Sequence, residues 1–287
     1  MLLEEYKKSL KMPEAEEFLD LLFYRPLAFG FVKAVYKLPV TPNQITYLSL
    51  LCGLGAAYEL SIGSWTALVW AAFWYAMANV LDCADGQLAR LQKSGTAYGR
   101  LVDGVADYIS SIAIFIGIGL GLQHAGEPNW FLLIAAGVSS AIHAMIFDHY
   151  QGEYISAVRG EGGFTETERD RISSELIGSS QSRGAFKSFV LSSYLHYLST
   201  QRRASTKSFR DNIDPQVYRK FNSVVIRLWS LLGPTTNRTL LIVCALFNRV
   251  DLYLWIVCSF GNAWLLIVYL LQKRIHLKLS AMANGAT

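Results

Sequence analysis

Residues 81–107 read LDCADGQLARLQKSGTAYGRLVDGVAD, and the four aspartates in this stretch decide how the rest of the chain is read. Asp82 and Asp85 are three residues apart, Asp103 and Asp107 four. Both spacings put side chains on one face of an α-helix. Long apolar runs flank the stretch, so the pattern predicts two helices joined by a short loop and aiming four carboxylates at one point. Carboxylates that close repel one another and hold each other's protons unless a cation sits among them. Mg²⁺, Mn²⁺ and Ca²⁺ prefer oxygen donors of this kind. A single aspartate at a helix end reads equally well as a cap or as a partner of Arg90 or Arg100. Four in two same-face pairs do not. Gly86 leaves bare backbone beside Asp85, Gly99 lies one turn before Asp103, and Arg90 offers a planar fork suited to phosphate. Together these groups point to metal-assisted phosphoryl transfer.

Outward from this stretch, the apolar residues gather in runs of membrane-spanning length, about 20 residues each. The chain has 287 residues, 52% of them hydrophobic and 17% charged, and it reads as an all-α polytopic membrane protein. Six spans are expected, at about 45–62, 65–82, 99–122, 130–147, 235–247 and 252–271, with Gly53 and Gly55 permitting close packing in the first. Residues 1–40 form N-terminal amphipathic helices lying along the membrane interface. The remaining 41–287 form the membrane domain, with a polar cytoplasmic insertion at about 149–220. Arg202, Arg203, Lys207 and Arg210 of that insertion suit lipid headgroups. Basic residues in the second connection (Arg90, Lys93, Arg100) and their absence from the first and third put the aspartates at the cytoplasmic end. Arg249 is the exception. A net charge of +4 is too small to argue for nucleic acid. Cys52, Cys83, Cys244 and Cys258 form no CxxC pair and read as reduced core residues. The charged first twenty residues carry no cleavable signal peptide.

Asp82-x-x-Asp85-Gly86-x-x-Ala89-Arg90, eight residues, then Gly99-x-x-x-Asp103-x-x-x-Asp107 resembles the signature of the CDP-alcohol phosphotransferase family at every fixed position. Thr41-Pro42-Asn43-x-x-Thr46 and the six-span layout resemble it more loosely. Arg25-Pro26-Leu27-Ala28 and the wording of 81–90 are nearer to bacterial members, implying a bacterial inner membrane. The resemblance implies a homodimer of six-helix protomers with a cytoplasmic active site. In it, a hydroxyl attacks phosphorus in a CDP-linked donor and CMP leaves. Asp82, Asp85, Asp103 and Asp107 would ligate a pair of Mg²⁺ or Mn²⁺ ions, with Asp107 also the general base. Gly86, Ala89, Arg90 and Gly99 would hold the nucleotide. Asn43 and Thr46 read equally well as nucleotide contacts or as part of the helix cap at Thr41–Thr46.

Asn79, one turn before Asp82, suits either orientation of a metal ligand or a plain interhelical hydrogen bond. Candidates for the acceptor pocket are Asp148 and His149, with His143, Tyr150 and Glu153 nearby, and Arg238 at the start of the fifth span. Arg238 reads either as an anion ligand or as a side chain snorkelling to headgroups. The expected partners are a CDP-linked donor, an alcohol or lipid acceptor, and membrane lipids. CDP-diacylglycerol with inositol or its phosphate is preferred. A CDP-choline, CDP-ethanolamine or CDP-inositol donor with diacylglycerol or ceramide is the alternative. A cation transporter using the same aspartates would need polar residues continuing across the membrane, and 112–122 holds none.

Overall fold

The structure is a computed structural model that describes residues 2–126, 128–160 and 213–283. Every regular element in it is helical. In chain order these are α1 (Leu2–Ser9), α2 (Arg25–Val35, entered through a π turn at Asp20–Tyr24), α3 (Pro42–Ile62), α4 (Trp65–Gln92), α5 (Ala97–His124) and α6 (Trp130–Arg159). They are followed by α7 (Pro215–Trp229), α8 (Pro234–Leu246), α9 (Val250–Ile256) and α10 (Asn262–Ala283), the last two joined through a π turn at Val257–Gly261. Arg202, Arg203, Lys207 and Arg210 lie outside the described residues. The flanks of the expected 149–220 insertion are helical: residues 149–159 continue α6, and 215–220 begin α7.

Among the described residues, five helices are long and apolar enough to cross a membrane: α3, α4, α5, α6 and the α9–α10 rod Val250–Ala283. The protein is thus an all-α polytopic membrane protein. The expected fifth span is α8, whose 13 residues reach about 20 Å, short of the ~30 Å hydrocarbon core. It packs on α4 and α9.

Local chemistry sets the helix limits. Thr41 and Gln44 form a reciprocal capping box at the start of α3, Ser64 caps α4 and Thr96 caps α5. The second span was expected to stop at Asp82, where apolarity ends, but nothing there breaks a helix. α4 runs on to Gln92 and stops where Lys93 turns left-handed, φ 52°. Asn79, Asp82, Asp85, Gly86, Ala89 and Arg90 therefore share one continuous helix.

Between lipid-embedded helices, association depends on close packing rather than on water exclusion, and small residues dominate the contacts. Ala56, Ala71, Ala72, Ala78 and Ala84 are all buried. α5 crosses α3 so closely that a Cβ at Gly117 would run into the carbonyl of Ala57, and one at Gly121 into that of Leu60. Gly53 likewise faces Ser110, whereas Gly55 meets Trp74 at ordinary distance. This crossing brings the starts of α3 and α5 to the end of α4. A second core joins α6, α7 and α10 through Phe147, Tyr154, Val225, Trp229 and Val268.

The N-terminal segment is amphipathic in the sense opposite to that of a helix resting on a membrane with its charges in water. Phe18, Leu22, Phe23 and Leu27 are exposed, while Glu16, Glu17, Asp20 and Arg25 are buried against the bundle.

Candidate active site

α4 and α5 bring the aspartates together. Carboxylate oxygens of Asp82, Asp85 and Asp103 lie within 4.8 Å of one another. Thr46, one turn into α3, has its hydroxyl 2.5 Å from Oδ2 of Asp85. Oδ1 of Asp103 is buried with no hydrogen-bond partner among the described residues. A buried carboxylate oxygen without a donor is costly, and three such groups so close together repel. Hard oxygen donors and an unmatched lone pair are what a divalent cation would satisfy, so the residues fit a Mg²⁺- or Mn²⁺-type ion.

Asp107 is turned a little apart from this trio. Its Oδ1 is 2.6 Å from the Arg238 guanidinium, whose other terminal nitrogen lies 3.1 Å from Oδ2 of Asp82 and 3.1 Å from Oδ1 of Asn79. Arg238, 8% exposed, is therefore drawn inward from α8 into the aspartates rather than snorkelling to the membrane surface. Asn79 is fully buried, and its Nδ2 has no partner among the described residues; its side-chain carbonyl accepts from Arg238. One small cavity is lined by Thr46, Tyr75, Asp82, Asp103, Asp107 and Arg238. Tyr75 and Ser110 of that lining carried no sequence signal, since aromatic and hydroxyl residues are ordinary in membrane helices.

Gly86 and Arg90 make the neighbouring surface. The Arg90 side chain folds back along its own helix, so that a Cβ at Gly86 would sit 3.4 Å from both of its terminal nitrogens. Nε of Arg90 donates to the Ser9 carbonyl at the end of α1, and NH2 is buried without a partner among the described residues. Asn43 Oδ1 lies 3.3 Å from where a Gly99 Cβ would stand, and Ala89 is half-buried on the same α4 turn as Arg90. The glycines thus keep open a strip of backbone between an unpaired arginine nitrogen and the carboxylates.

Comparison with known proteins matches this geometry to a family. The model of the CDP-alcohol phosphatidyltransferase domain matches residues 39–163, which span α3 to α6 and so all four aspartates. This part of the chain is similar to the CDP-alcohol phosphatidyltransferase family. It is 31% identical over 137 residues to a phosphatidylinositol phosphate synthase of Corynebacterium glutamicum, covering 46% of this chain and 57% of the relative. To an archaetidylinositol phosphate synthase of Pyrococcus horikoshii it is 34% identical over 104 residues, 36% of this chain and 54% of that one. To a phosphatidylinositol phosphate synthase of Mycolicibacterium smegmatis it is 27% identical over 161 residues, covering 54% and 68%. The chain thus spans little more than half the length of the first two.

The family domain ends before α8, so Arg238 enters the site from outside the matched region. The other acceptor candidates sit elsewhere. His149 pairs with Glu153 at 3.5 Å and packs edge-on to Tyr150, Asp148 is exposed on the same stretch of α6, and Tyr150 stacks on Trp229 of α7. His143 is buried and bonded to Asn262, a satisfied polar residue of the bundle. All four cysteines are free.

Sequence reasoning missed the layer behind the site. Glu16 pairs with Arg25 at 2.8 Å, Asp20 accepts from the Cys83 thiol, and Gln87 donates to the Arg25 carbonyl. Burial would raise the Glu16 carboxyl, but the Arg25 and Lys11 charges outweigh it and hold it below its usual range. The available signal was charge inside an apolar segment: Glu16, Glu17, Asp20 and Arg25 fall among Phe18, Leu21, Leu22 and Phe23.

Proposed function

We propose that this chain is a metal-dependent phosphatidylinositol phosphate synthase, transferring the phosphatidyl group of CDP-diacylglycerol to a hydroxyl of inositol phosphate and releasing CMP. The observation that carries the reading is the trio Asp82, Asp85 and Asp103 with its unmatched buried oxygen, two of whose members, Asp82 and Asp103, line one cavity with Asp107 and Arg238. The names of the relatives support the acceptor, since phosphatidylinositol phosphate synthases recur among them. An inward arginine suits an acceptor that carries its own phosphate.

Asp82, Asp85 and Asp103, with Asp107 beside them, hold Mg²⁺ or Mn²⁺. Ions bound there would neutralise the attacking and leaving oxygens of the displacement. The Arg90 fork and the open backbone at Gly86 receive the pyrophosphate, with Asn43, Thr46, Ala89 and Gly99 along the nucleotide's path. Arg238 holds the acceptor's phosphate. That anion takes over part of the guanidinium now spent on Asp107, leaving the Asp107 carboxylate to accept the proton of the attacking hydroxyl. The new P–O bond forms as the bond to CMP breaks. The basic residues Arg90, Lys93 and Arg100 support a cytoplasmic position for this end of the bundle.

CMP release by the purified protein tests the reading. It should require CDP-diacylglycerol, inositol phosphate and a divalent ion together. Release from CDP-choline or CDP-ethanolamine with diacylglycerol, and none from CDP-diacylglycerol, would overturn the donor assignment.

A further inference from the structure

We infer that Glu17 is a positioning residue for Arg238: it caps, from more than two hundred residues away, the short helix that delivers that arginine to the aspartates. This inference rests on the proposed role of Arg238 as the acceptor's phosphate ligand.

α8 has no cap of its own. Its N-cap residue is Gly233, its first residue is Pro234, and its first turn contains no acidic side chain. Helix starts leave backbone N–H groups without partners, and in a short helix buried in a bundle water does not supply them. Glu17 does. Its Oε1 accepts from the Thr235 N–H at 3.0 Å and its Oε2 from the Thr236 N–H at 2.8 Å. The Thr236 hydroxyl lies 2.9 Å from the same Oε2. Carboxyl oxygens at a helix N-terminus accept from its free backbone donors.

Gly233 is the counterpart of this contact. A Cβ there would fall on the Glu17 carboxyl group, so glycine is what lets the carboxylate reach the backbone. A second tie lies one turn on, where the Tyr24 hydroxyl is 3.0 Å from Oγ1 of Thr239. From the far side Asn237 is held by Ser140 and by Tyr253. Arg238 sits between these ties. α8 has only 13 residues and no span on which to anchor, so its axial position and rotation depend on these contacts. A helix N-terminus released by one bond length would carry the Arg238 guanidinium off Asp82 and Asp107, whose contacts are 3.1 and 2.6 Å.

The experiment compares wild type with Glu17→Ala, Gly233→Ala, Arg238→Ala and the double variant Glu17→Ala/Arg238→Ala, purified in detergent and checked for folding. Two readouts are taken: backbone hydrogen exchange of the 233–240 peptide, and separate KM values for CDP-diacylglycerol and inositol phosphate. Expected is faster exchange at 233–240 in both Glu17→Ala and Gly233→Ala, with the acceptor KM raised about tenfold and the donor KM little changed. In the Arg238→Ala background the Glu17 substitution should add nothing further to the loss in kcat/KM. Unchanged exchange, or a Glu17 effect that persists in full without Arg238, would overturn the inference. A wild-type protein inactive on every CDP donor would sink the proposed function instead, and the exchange result would still decide whether Glu17 fixes the helix.

Discussion

Two buried acidic clusters lie side by side in this protein, and they differ in who satisfies them. In the N-terminal segment each carboxylate has protein donors: Arg25 and the Lys11 N–H for Glu16, two backbone N–H groups for Glu17, the Cys83 thiol for Asp20. Between α4 and α5, three carboxylates crowd within 4.8 Å, and one Asp103 oxygen has no donor among the described residues. The first cluster is complete as folded and holds helices in place. The second keeps a lone pair that a cation would satisfy. Acidity is common to the two, so it does not by itself mark a metal site; the count of donors separates them.

The sharpest way to break this contrast is Asp103→Asn. It should lower CMP release by about a thousandfold, the scale for losing a group that stabilises transition-state charge. It should leave the melting temperature in detergent unchanged or raised, because it removes a repelling charge. A clear fall in melting temperature would place Asp103 with the structural cluster instead. Glu16→Ala should do the opposite. It leaves Arg25 buried without its partner, a change that costs about 3–5 kcal/mol, read as a lower thermal or denaturant midpoint.

Chelation gives the next largest effect. Stripping divalent ions should abolish CMP release until Mg²⁺ or Mn²⁺ is restored. Adding ion at about a hundredfold excess over its dissociation constant should stabilise the wild type by about 2.7 kcal/mol. Asp103→Asn should lose most of that thermal shift, and Glu17→Gln none. Thr46→Val, which removes the hydroxyl beside Asp85, should cost about 1–3 kcal/mol in kcat/KM with little effect on unfolding.

The smallest expected effect is a slope with pH. Burial, with Asp20 beside it, pushes Glu17 from its ordinary 4.5 up to about 8. Between those values the folded chain holds a proton that the unfolded chain has released, so stability should fall as pH rises from about 4.5 to 8 and level off above. Glu17→Gln should flatten melting temperature against pH in that window. An unaltered slope would assign the pH dependence to other groups.

The aspartate pairs were legible because both spacings are local: three or four residues on one helix put side chains on one face whatever the rest of the fold does. The long spans were legible from apolar length. Limits were harder. Asp82 ends the apolar run but not the helix, since polarity does not break a helix and only the left-handed turn at Lys93 does. The fifth span is left unconfirmed because an apolar run of thirteen residues reads the same whether lipid or protein surrounds it. Arg238 was ambiguous for a related reason. An arginine at a span's end points to headgroups or inward depending on what its neighbours offer, and the neighbours here, Asn79, Asp82 and Asp107, are at least 131 residues away in sequence. The N-terminal segment showed its amphipathic pattern but not which side faced in.

By itself the sequence determined a helical membrane protein with four carboxylates at the facing ends of two spans, because helix periodicity and apolar length act within a few turns of chain. Only the tertiary structure decided which carboxylates keep an empty lone pair, that Arg238 joins them, and that Glu17 caps the helix carrying it. Those facts depend on donors brought from distant segments, and no local pattern encodes a partner two hundred residues away.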